Sequence, residues 1–504
     1  MLSTNRLTIK DSIFDIVLVN SLSFSLNEHD KIALIGSEGT GKSTLLKTLS
    51  GYELNYIETK GEIYHQAKPI YIEQNIAYLW KEKTVYEFLF TGNENRIDHL
   101  IQEANVQLNA FGFNYHEIID RLILTFSGGE KVKLSLVKAL IQDPEVLLMD
   151  EPTNDLDFET IQFLESFMIQ TSIPIVFISH DQRLLEHVAN GVIHIQHIHK
   201  QSLAKTFFYR GSYLEYKEKY FRHFESSLLL AKKQRADYQT KMKKFRQIYS
   251  KVEHQQNQAV RNPNLSRLLK KKIHTLKAQA KRFEKEKEAF IDMPEREEPM
   301  SIFFDDQLRK NPNKQIIHIE LFDYKLPNGK KIKHIDLRLN GKDKFVIYGK
   351  NGVGKTSFIK TVIKQLKEKQ IQYGYIPQNY MDILNENETT VDFLLKRQDK
   401  YLEYRIRQIL GQLGFKRKDM DALCKDLSEG QKLKVLLLYM VSIQTEVLIL
   451  DEPTRNISPI NQDEIYQLFN DYTGAILAVT HDRAFIEAVF DDIYELTEDG
   501  IVLN

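Results

Sequence analysis

Two stretches of the chain read GSEGTGKS, residues 36–43, and GKNGVGKT, residues 349–356. Their glycines are spaced so that successive backbone amides can turn toward one anion: Gly36, Gly39 and Gly41 in the first, Gly349, Gly352 and Gly354 in the second. Lys42 and Lys355 follow where an ammonium reaches the outer phosphates of a nucleoside triphosphate, and Ser43 and Thr356 offer a hydroxyl to Mg2+. Thr44 and Ser357, the next hydroxyls, are counted with the same phosphate cradle. Two further segments supply acid. Residues 146–149 and 447–450 are apolar runs that end in Asp150-Glu151 and Asp451-Glu452. In each pair the aspartate suits a metal's water shell and the glutamate suits orienting or deprotonating a water molecule. The combined chemistry is phosphoryl transfer.

These side chains meet only if strands and helices deliver them. The apolar runs at 32–35 and 345–348, just before the glycine loops, are expected to be buried strands, each followed by a helix whose amino end adds favourable dipole. A carboxylate pair at the C-terminal edge of a neighbouring strand then lies where ligands bind in open α/β sheets. The whole set occurs twice. Gly36 and Gly349 are 313 residues apart, Gln74 and Gln378 are 304 apart, and Ser127 and Ser428, Asp150 and Asp451, and His180 and His481 are each 301 apart. One kind of α/β domain used twice explains that order.

Length and composition agree. A chain of 504 residues with 42% apolar and 27% charged side chains has room for several cores and is not a disordered or collagen-like sequence. Its one cysteine, Cys424, excludes a disulfide scaffold, a four-cysteine zinc site and a cysteine-ligated iron–sulfur cluster. No run approaches the length of a membrane span and the start, MLSTNRLTIKDS, has no leader pattern, so a cytoplasmic location and no membrane partner are expected. Lys and Arg total 69, as do Asp and Glu, yet residues 217–290 hold 21 basic against 7 acidic side chains. Such an excess favours contact with a polyanion. Apolar stripes run through Tyr216, Tyr220, Phe224 and Leu228, then Tyr238, Met242, Phe245, Tyr249 and Val252, and again through Leu265, Leu269, Ile273, Leu276, Ala280 and Phe283. With Asn262-Pro263-Asn264 as the turn between them, this predicts a basic helical hairpin with arms of about 26 to 40 residues, reaching roughly 40 to 60 Å.

The P-loops and Asp-Glu strands, together with FSGGE at residues 126–130 and LSEGQ at residues 427–431, resemble the ATP-binding-cassette superfamily. The resemblance implies two cassettes facing head to tail within one chain, each ATP held between one P-loop and the opposite signature. The signature residues would be Ser127, Gly128 and Gly129, and Ser428 and Gly430. Gln74 and Gln378 look like the glutamines that sense Mg2+ and the attacking water, and His180 in ISHD and His481 in VTHD look like the switch histidines beside the catalytic Glu151 and Glu452. Metal would be held by Ser43, Gln74 and Asp150, and by Thr356, Gln378 and Asp451. Phe14 and Tyr324 lie at suitable distances to stack on adenine, or are core residues.

Two cassettes, no membrane span and a charged hairpin between them are similar to the ABC-F branch, as is YRGSY at residues 209–213, with Ser212 for the usual Asn. The implied layout is a first cassette at 1–215, a basic coiled-coil linker at 216–300 and a second cassette at 301–504, working as a monomer with no obligate protein partner. The implied partner is the ribosome, entered at the E site, with the linker near 23S rRNA and the P-site tRNA. Three features lean toward ribosome protection against antibiotics over a housekeeping translation role: the long linker, the 80 to 90 residues between P-loop and signature, and DEPTRNISP at residues 451–459. That last form resembles resistance proteins acting against lincosamides, pleuromutilins and streptogramin A. The second D-loop has Ile457 and Ser458 where the first has Leu156 and Asp157, and Glu429 stands where the first signature has Gly128, so the two sites are expected to be unequal. A transporter ATPase or a chromosome-associated ATPase shares the cassette count, and a recycling-type tandem ABC protein is excluded by the missing cluster cysteines.

Overall fold

A computed structural model of the chain describes residues 2–65, 68–73, 76, 78–92, 97–154, 156–198, 203–258, 263–290, 294, 314–326, 329, 331–396, 403–443, 445–455 and 457–503. It forms two compact units, Met1–Tyr213 with Glu297–Asn504, and Leu214–Arg296.

The larger unit contains the same six-stranded sheet twice. In the first copy the strands lie in the order Pro69–Ile72, Val146–Met149, Ile175–Ile178, Lys31–Ile35, Gly191–Ile198, Leu203–Arg210. In the second the order is Tyr373–Ile376, Val447–Asp451, Ala475–Val479, Lys344–Tyr348, Asp492–Leu496, Ile501–Leu503. Five strands are parallel and the last is antiparallel in both. The central strands are buried along their whole length, which is why they read as unbroken apolar runs without alternation. Smaller antiparallel sheets, Leu2–Asp11 with Ile16–Ser25 and Ile57–His65, and Gln315–Lys325 with Lys331–Asn340, cover the helices that follow the glycine loops. The alternation there is clear: Ile332, Ile335, Leu337 and Leu339 point into the core and their neighbours point out.

Register fixes the site. Leu34 lies opposite Ile178 and Ile347 opposite Val479, so the glycine loop and the switch histidine loop leave one sheet edge side by side. Met149 opposite Ile72, and Leu450 opposite Ile376, bring the carboxylate pairs to that edge too.

The second unit is two helices, Tyr213–Gln258 and Pro263–Glu288. Tyr238 packs on Phe283 and Phe290, Phe245 packs on Phe283, and Lys241 bonds Glu286 at 2.6 Å, so the arms run antiparallel. Val252, Leu269 and Leu276 form the buried seam with Phe245, Tyr249 and Ile273 against it. The first arm has 46 residues, more than the spacing suggested, and at 1.5 Å per residue is about 69 Å long. The expected turn at 262–264 is corrected too. Pro263 opens the second arm, where its missing N–H costs nothing, and the connection occupies 259–262, outside the described residues. Among the described residues no helix is long and apolar enough to cross a membrane.

Candidate nucleotide sites

Each glycine loop ends on a glycine that only glycine suits. Gly41 (φ 91°) and Gly354 (φ 106°) precede the helices Lys42–Leu49 and Lys355–Glu368 in the left-handed region, and a Cβ there would lie 2.9 Å from Leu18 Cβ or 2.3 Å from Leu326 Cδ2. Both loop lysines turn onto their own loops. Lys42 Nζ donates to the carbonyls of Gly36 and Ser37 at 2.8 and 2.9 Å, and Lys355 Nζ to those of Gly349 and Lys350 at 2.5 and 3.2 Å. Burial lowers the ammonium of Lys355, with Glu452, Asp157 and Asp451 opposing that shift. Ser43 Oγ donates to Asp150 Oδ1 at 3.1 Å, and Thr356 hydrogen-bonds Asp451. Both aspartates are buried, which pushes their carboxyls up. Hydroxyl and carboxylate oxygens at the mouth of a phosphate loop fit a small hard cation that completes its shell with water and phosphate. Among the described residues no group of three or more His, Cys, Asp or Glu could hold a metal ion.

The glutamates share a feature that no residue pattern announced. Glu151 (φ 47°) and Glu452 (φ 51°) both sit in the left-handed region, strained for a side chain with a Cβ. Their surroundings differ. Glu151 Oε2 accepts from Asn154 Nδ2 at 2.7 Å, and His180 Nε2 stands 3.6 Å from Oε1. Burial raises the Glu151 carboxyl, but His180, Lys42 and Arg455 of the second cassette outweigh it and hold it below the ordinary range. Glu452 Oε2 accepts from Thr480 Oγ1 at 3.0 Å and from the backbone of His481 at 3.3 Å, while His481 Nε2 is 4.0 Å from Oε1. Burial pushes Glu452 up to about 7 and His481 down to about 4, and neither ring nitrogen of His481 has a hydrogen-bond partner among the described residues. His180 Nδ1, by contrast, donates to the carbonyl of Ile457 at 2.9 Å, and Gln462 Nε2 donates to the carbonyl of His180 at 2.8 Å. A carbonyl only accepts, so this contact keeps a proton on Nδ1 of the first switch histidine from the opposite cassette.

The signatures start helices, Gly128–Leu140 and Glu429–Ser442. Ser127 and Ser428 cap them in reciprocal boxes with Glu130 and Gln431, which leaves the next two amides to point off the helix end. The first signature faces the second P-loop. A cavity of about 440 Å³ is lined by Gly128, Thr153 and Leu156 of the first cassette and by Gly352, Lys355, Thr356, Gln378, Asp451 and Glu452 of the second. Lys350 of the second loop also pairs with Glu159 at 3.2 Å. The reciprocal pairing is visible electrostatically: burial raises the Glu38 carboxyl in the first P-loop, and Glu429 of the second signature raises it further. Glu429 is held by Lys432 at 2.6 Å.

Gln74 lies outside the described residues; its twin Gln378 is exposed at the cavity. The carbonyls of Thr44 and Ser357 accept, from Thr48 and from Tyr324 and Thr361. Gly129 is set against Thr160 and Gly430 is buried. Of the stacking candidates, Phe14 is exposed, whereas the Tyr324 hydroxyl is tied to the second P-loop helix. Asp157 caps the helix Phe158–Gln170 through Thr160, and Ser458, in its place in the second copy, has a buried hydroxyl without a partner among the described residues. Sequence reading missed Asn154, Thr480 and the inter-cassette roles of Ile457 and Gln462; only Arg455 carried a signal, as the residue that replaces Asn154 in the second copy.

Comparison with known proteins agrees with this geometry. The sequence model of the family described as ABC transporter matches residues 19–154 and 332–455. The chain is similar to the ABC transporter F family member 5 of Arabidopsis thaliana, at 25% identity over 98% of this chain and 74% of the relative. It is also similar to the ABC transporter ATP-binding protein YfmM of Bacillus subtilis strain 168, at 26% identity over 94% of both chains. In fold it is like the archaeal ribosome recycling factor aABCE1, solved with the ribosomal stalk protein aP1, at a TM-score of 0.58 and 15% identity over 98% of this chain and 89% of that one.

Proposed function

The chain belongs to the ABC transporter family, and from that premise we propose that it is a cytoplasmic, ribosome-binding ATPase of the F branch that relieves antibiotics acting at the peptidyl-transferase centre. The observation that carries the reading is the hairpin: a segment, residues 217–290, with 21 basic and 7 acidic side chains, whose described part is two paired helices, inserted between two ATPase cassettes. Phosphate charge, not base edges, is what such a rod engages, which suits folded RNA. From the E site the hairpin would reach toward the P-site tRNA and 23S rRNA. The second D-loop, DEPTRNISP, favours protection over a housekeeping role, and a transporter subunit has no use for the basic hairpin.

The work of the cassettes follows from their residues. The glycine-loop amides and the lysines Lys42 and Lys355 bind the phosphates of ATP. Ser43 with Asp150, and Thr356 with Asp451, would hold Mg2+, joined by Gln74 and Gln378; the cation, when bound, neutralises phosphate charge. Glu151 and Glu452 orient and deprotonate the attacking water, with His180 and His481 beside them. The amides at Gly128 and Gly129, and at Glu429 and Gly430, complete each site from across the interface, so ATP favours the closed pair and hydrolysis opens it. Closure moves the hairpin and disturbs the tRNA or RNA beside the drug. The test is Glu151→Gln with Glu452→Gln. Expressed in a sensitive bacterium, the native chain should raise resistance and the double variant should abolish it while co-sedimenting with ribosomes in ATP. Free release of that variant refutes the clamp, and ribosome binding without any change in susceptibility favours the housekeeping role.

A further inference from the structure

We infer that a groove on the second cassette, beside its P-loop helix, is a contact site for an unpaired stretch of RNA, separate from the hairpin and from the nucleotide sites. The groove has a volume of about 560 Å³, within the range of built ligand pockets. One wall is the helix Lys355–Glu368, which presents Lys360, Lys364 and Lys367 at a spacing that puts all three on one face. All three are exposed, and among the described residues none has a carboxylate within ion-pair distance. The opposite wall is aromatic: Tyr373 and Tyr375, two apart on one face of the edge strand Tyr373–Ile376, and Tyr439 from the signature helix, all half-buried. One carboxylate, Asp382, also lines the groove, and Lys360 acts on Asp451 of the nucleotide site, which leaves Lys364 and Lys367 as the ammonium groups the groove can offer a ligand. Ammonium groups along one side and ring faces along the other are the two components of single-strand recognition, phosphate attraction and base stacking.

The duplication provides an internal control. The corresponding groove of the first cassette, about 480 Å³, is lined by Tyr52, Tyr71, Trp80 and Phe88, so it is equally aromatic. It is not equally basic. The first P-loop helix stops at Leu49, and Gly51 stands where the second copy has Lys364. The one lysine lining that groove, Lys138, has its ammonium 4.2 Å from the rings of both Trp80 and Phe88 and serves its own pocket. Lys360 has its twin in Lys47, each acting on the aspartate of its own nucleotide site, but Lys364 and Lys367 have none. ATP chemistry common to both copies therefore does not require that pair, which the second copy alone gained by extending its helix to Glu368. A ligand there would also press on two elements of the second nucleotide site, because the helix begins at Lys355 and the strand ends two residues before Gln378.

That the polyanion is RNA rests on the ribosome reading above; the groove itself rests on its own charge and rings. The test uses the full-length protein and a 4-thiouridine oligouridylate, photocrosslinked and mapped by peptide. Crosslinks are expected in two places, on residues 360–375 and on the hairpin. Lys364→Ala with Lys367→Ala should reduce the groove crosslink at least tenfold and leave the hairpin crosslink and RNA-free ATP turnover unchanged. Tyr373→Leu should reduce it several-fold at unchanged salt dependence, since stacking carries no counterion. Crosslinks confined to residues 214–296, unaltered in the double variant, would overturn the groove while the ribosome reading survives. Absence of crosslinks everywhere together with failure to sediment with ribosomes would overturn both. Preferential displacement of the oligouridylate from the groove by polyglutamate, at equal charge concentration, would reassign it to an acidic protein segment.

Discussion

The inequality of the two glutamates predicts that each nucleotide site has its own pH profile. Glu452 is buried beside a neutral His481, and its carboxyl is pushed up to about 7; Glu151, beside His180 and reached by Arg455, is held below its ordinary value. A general base works only when ionised. For a group at about 7 the ionised fraction rises from about 0.1 at pH 6 to about 0.9 at pH 8, whereas a carboxylate below its ordinary range is more than about 0.95 ionised throughout. The perturbation is to silence one site at a time. With Glu151→Gln, the surviving activity depends on Glu452 and kcat/KM should climb about eight- to tenfold between pH 6 and pH 8. With Glu452→Gln, it depends on Glu151 and should stay within about twofold. Phosphate release under limiting ATP reports kcat/KM, which follows the free enzyme's titration. Equal slopes for the two variants would refute the electrostatic argument, as would a falling profile for Glu151→Gln.

Three further outcomes follow from packing and charge. Gly129→Ala places a Cβ 2.3 Å from Thr160 Oγ1 and should destabilise the fold by about 1 to 3 kcal/mol in urea unfolding, with Thr160→Ala restoring much of it. Arg483 bonds Glu165 at 2.8 Å and Asp181 at 3.4 Å across the cassettes, all three side chains at 15% exposure or less; Arg483→Ala should cost about 2 to 4 kcal/mol by leaving two carboxylates buried, and thermal unfolding should split into separate transitions. Glu38 and Glu429 oppose each other at the first P-loop, where the second loop has Asn351 opposite Gly128. Replacing both, Glu38→Asn with Glu429→Gly, should therefore tighten ATP at that site several-fold in equilibrium binding, most strongly at low salt.

The duplicated sheets were legible because buried parallel strands must be apolar throughout and because the chemistry recurs at nearly constant offset. Ile32 to Ile35 and Val447 to Leu450 proved to be strands with the acids and glycines at one edge. The helical pairing of Phe245 with Phe283 was likewise implicit in the stripes. What escaped depends on geometry that residue type does not encode. Pro263 reads equally as a turn former and as the first residue of a helix, and only the arms' packing decides. The bond from His180 to the Ile457 carbonyl is made by a backbone group, so no side chain advertises it. The left-handed turn at Glu151 and Glu452 is imposed by a strand ending against the loops around it, on a residue that would avoid it in isolation. That the two sites differ was expected from Ser458 and Glu429, but the opposite displacement of the two glutamates was not, because both copies read DEPT and the difference lies in what surrounds them: Asn154, His180 and Arg455 at Glu151, Thr480 and a buried His481 at Glu452.

The conformation of those two glutamates has an evolutionary corollary. A residue with a Cβ held at positive φ gives up about 1 kcal/mol that glycine would not, and here that occurs at both positions. Glu151→Gly and Glu452→Gly should thus yield chains that withstand heat better while no longer turning over ATP. A laboratory lineage selected for robustness alone would drift toward inert descendants, so a screen for heat resistance would have to score turnover as well.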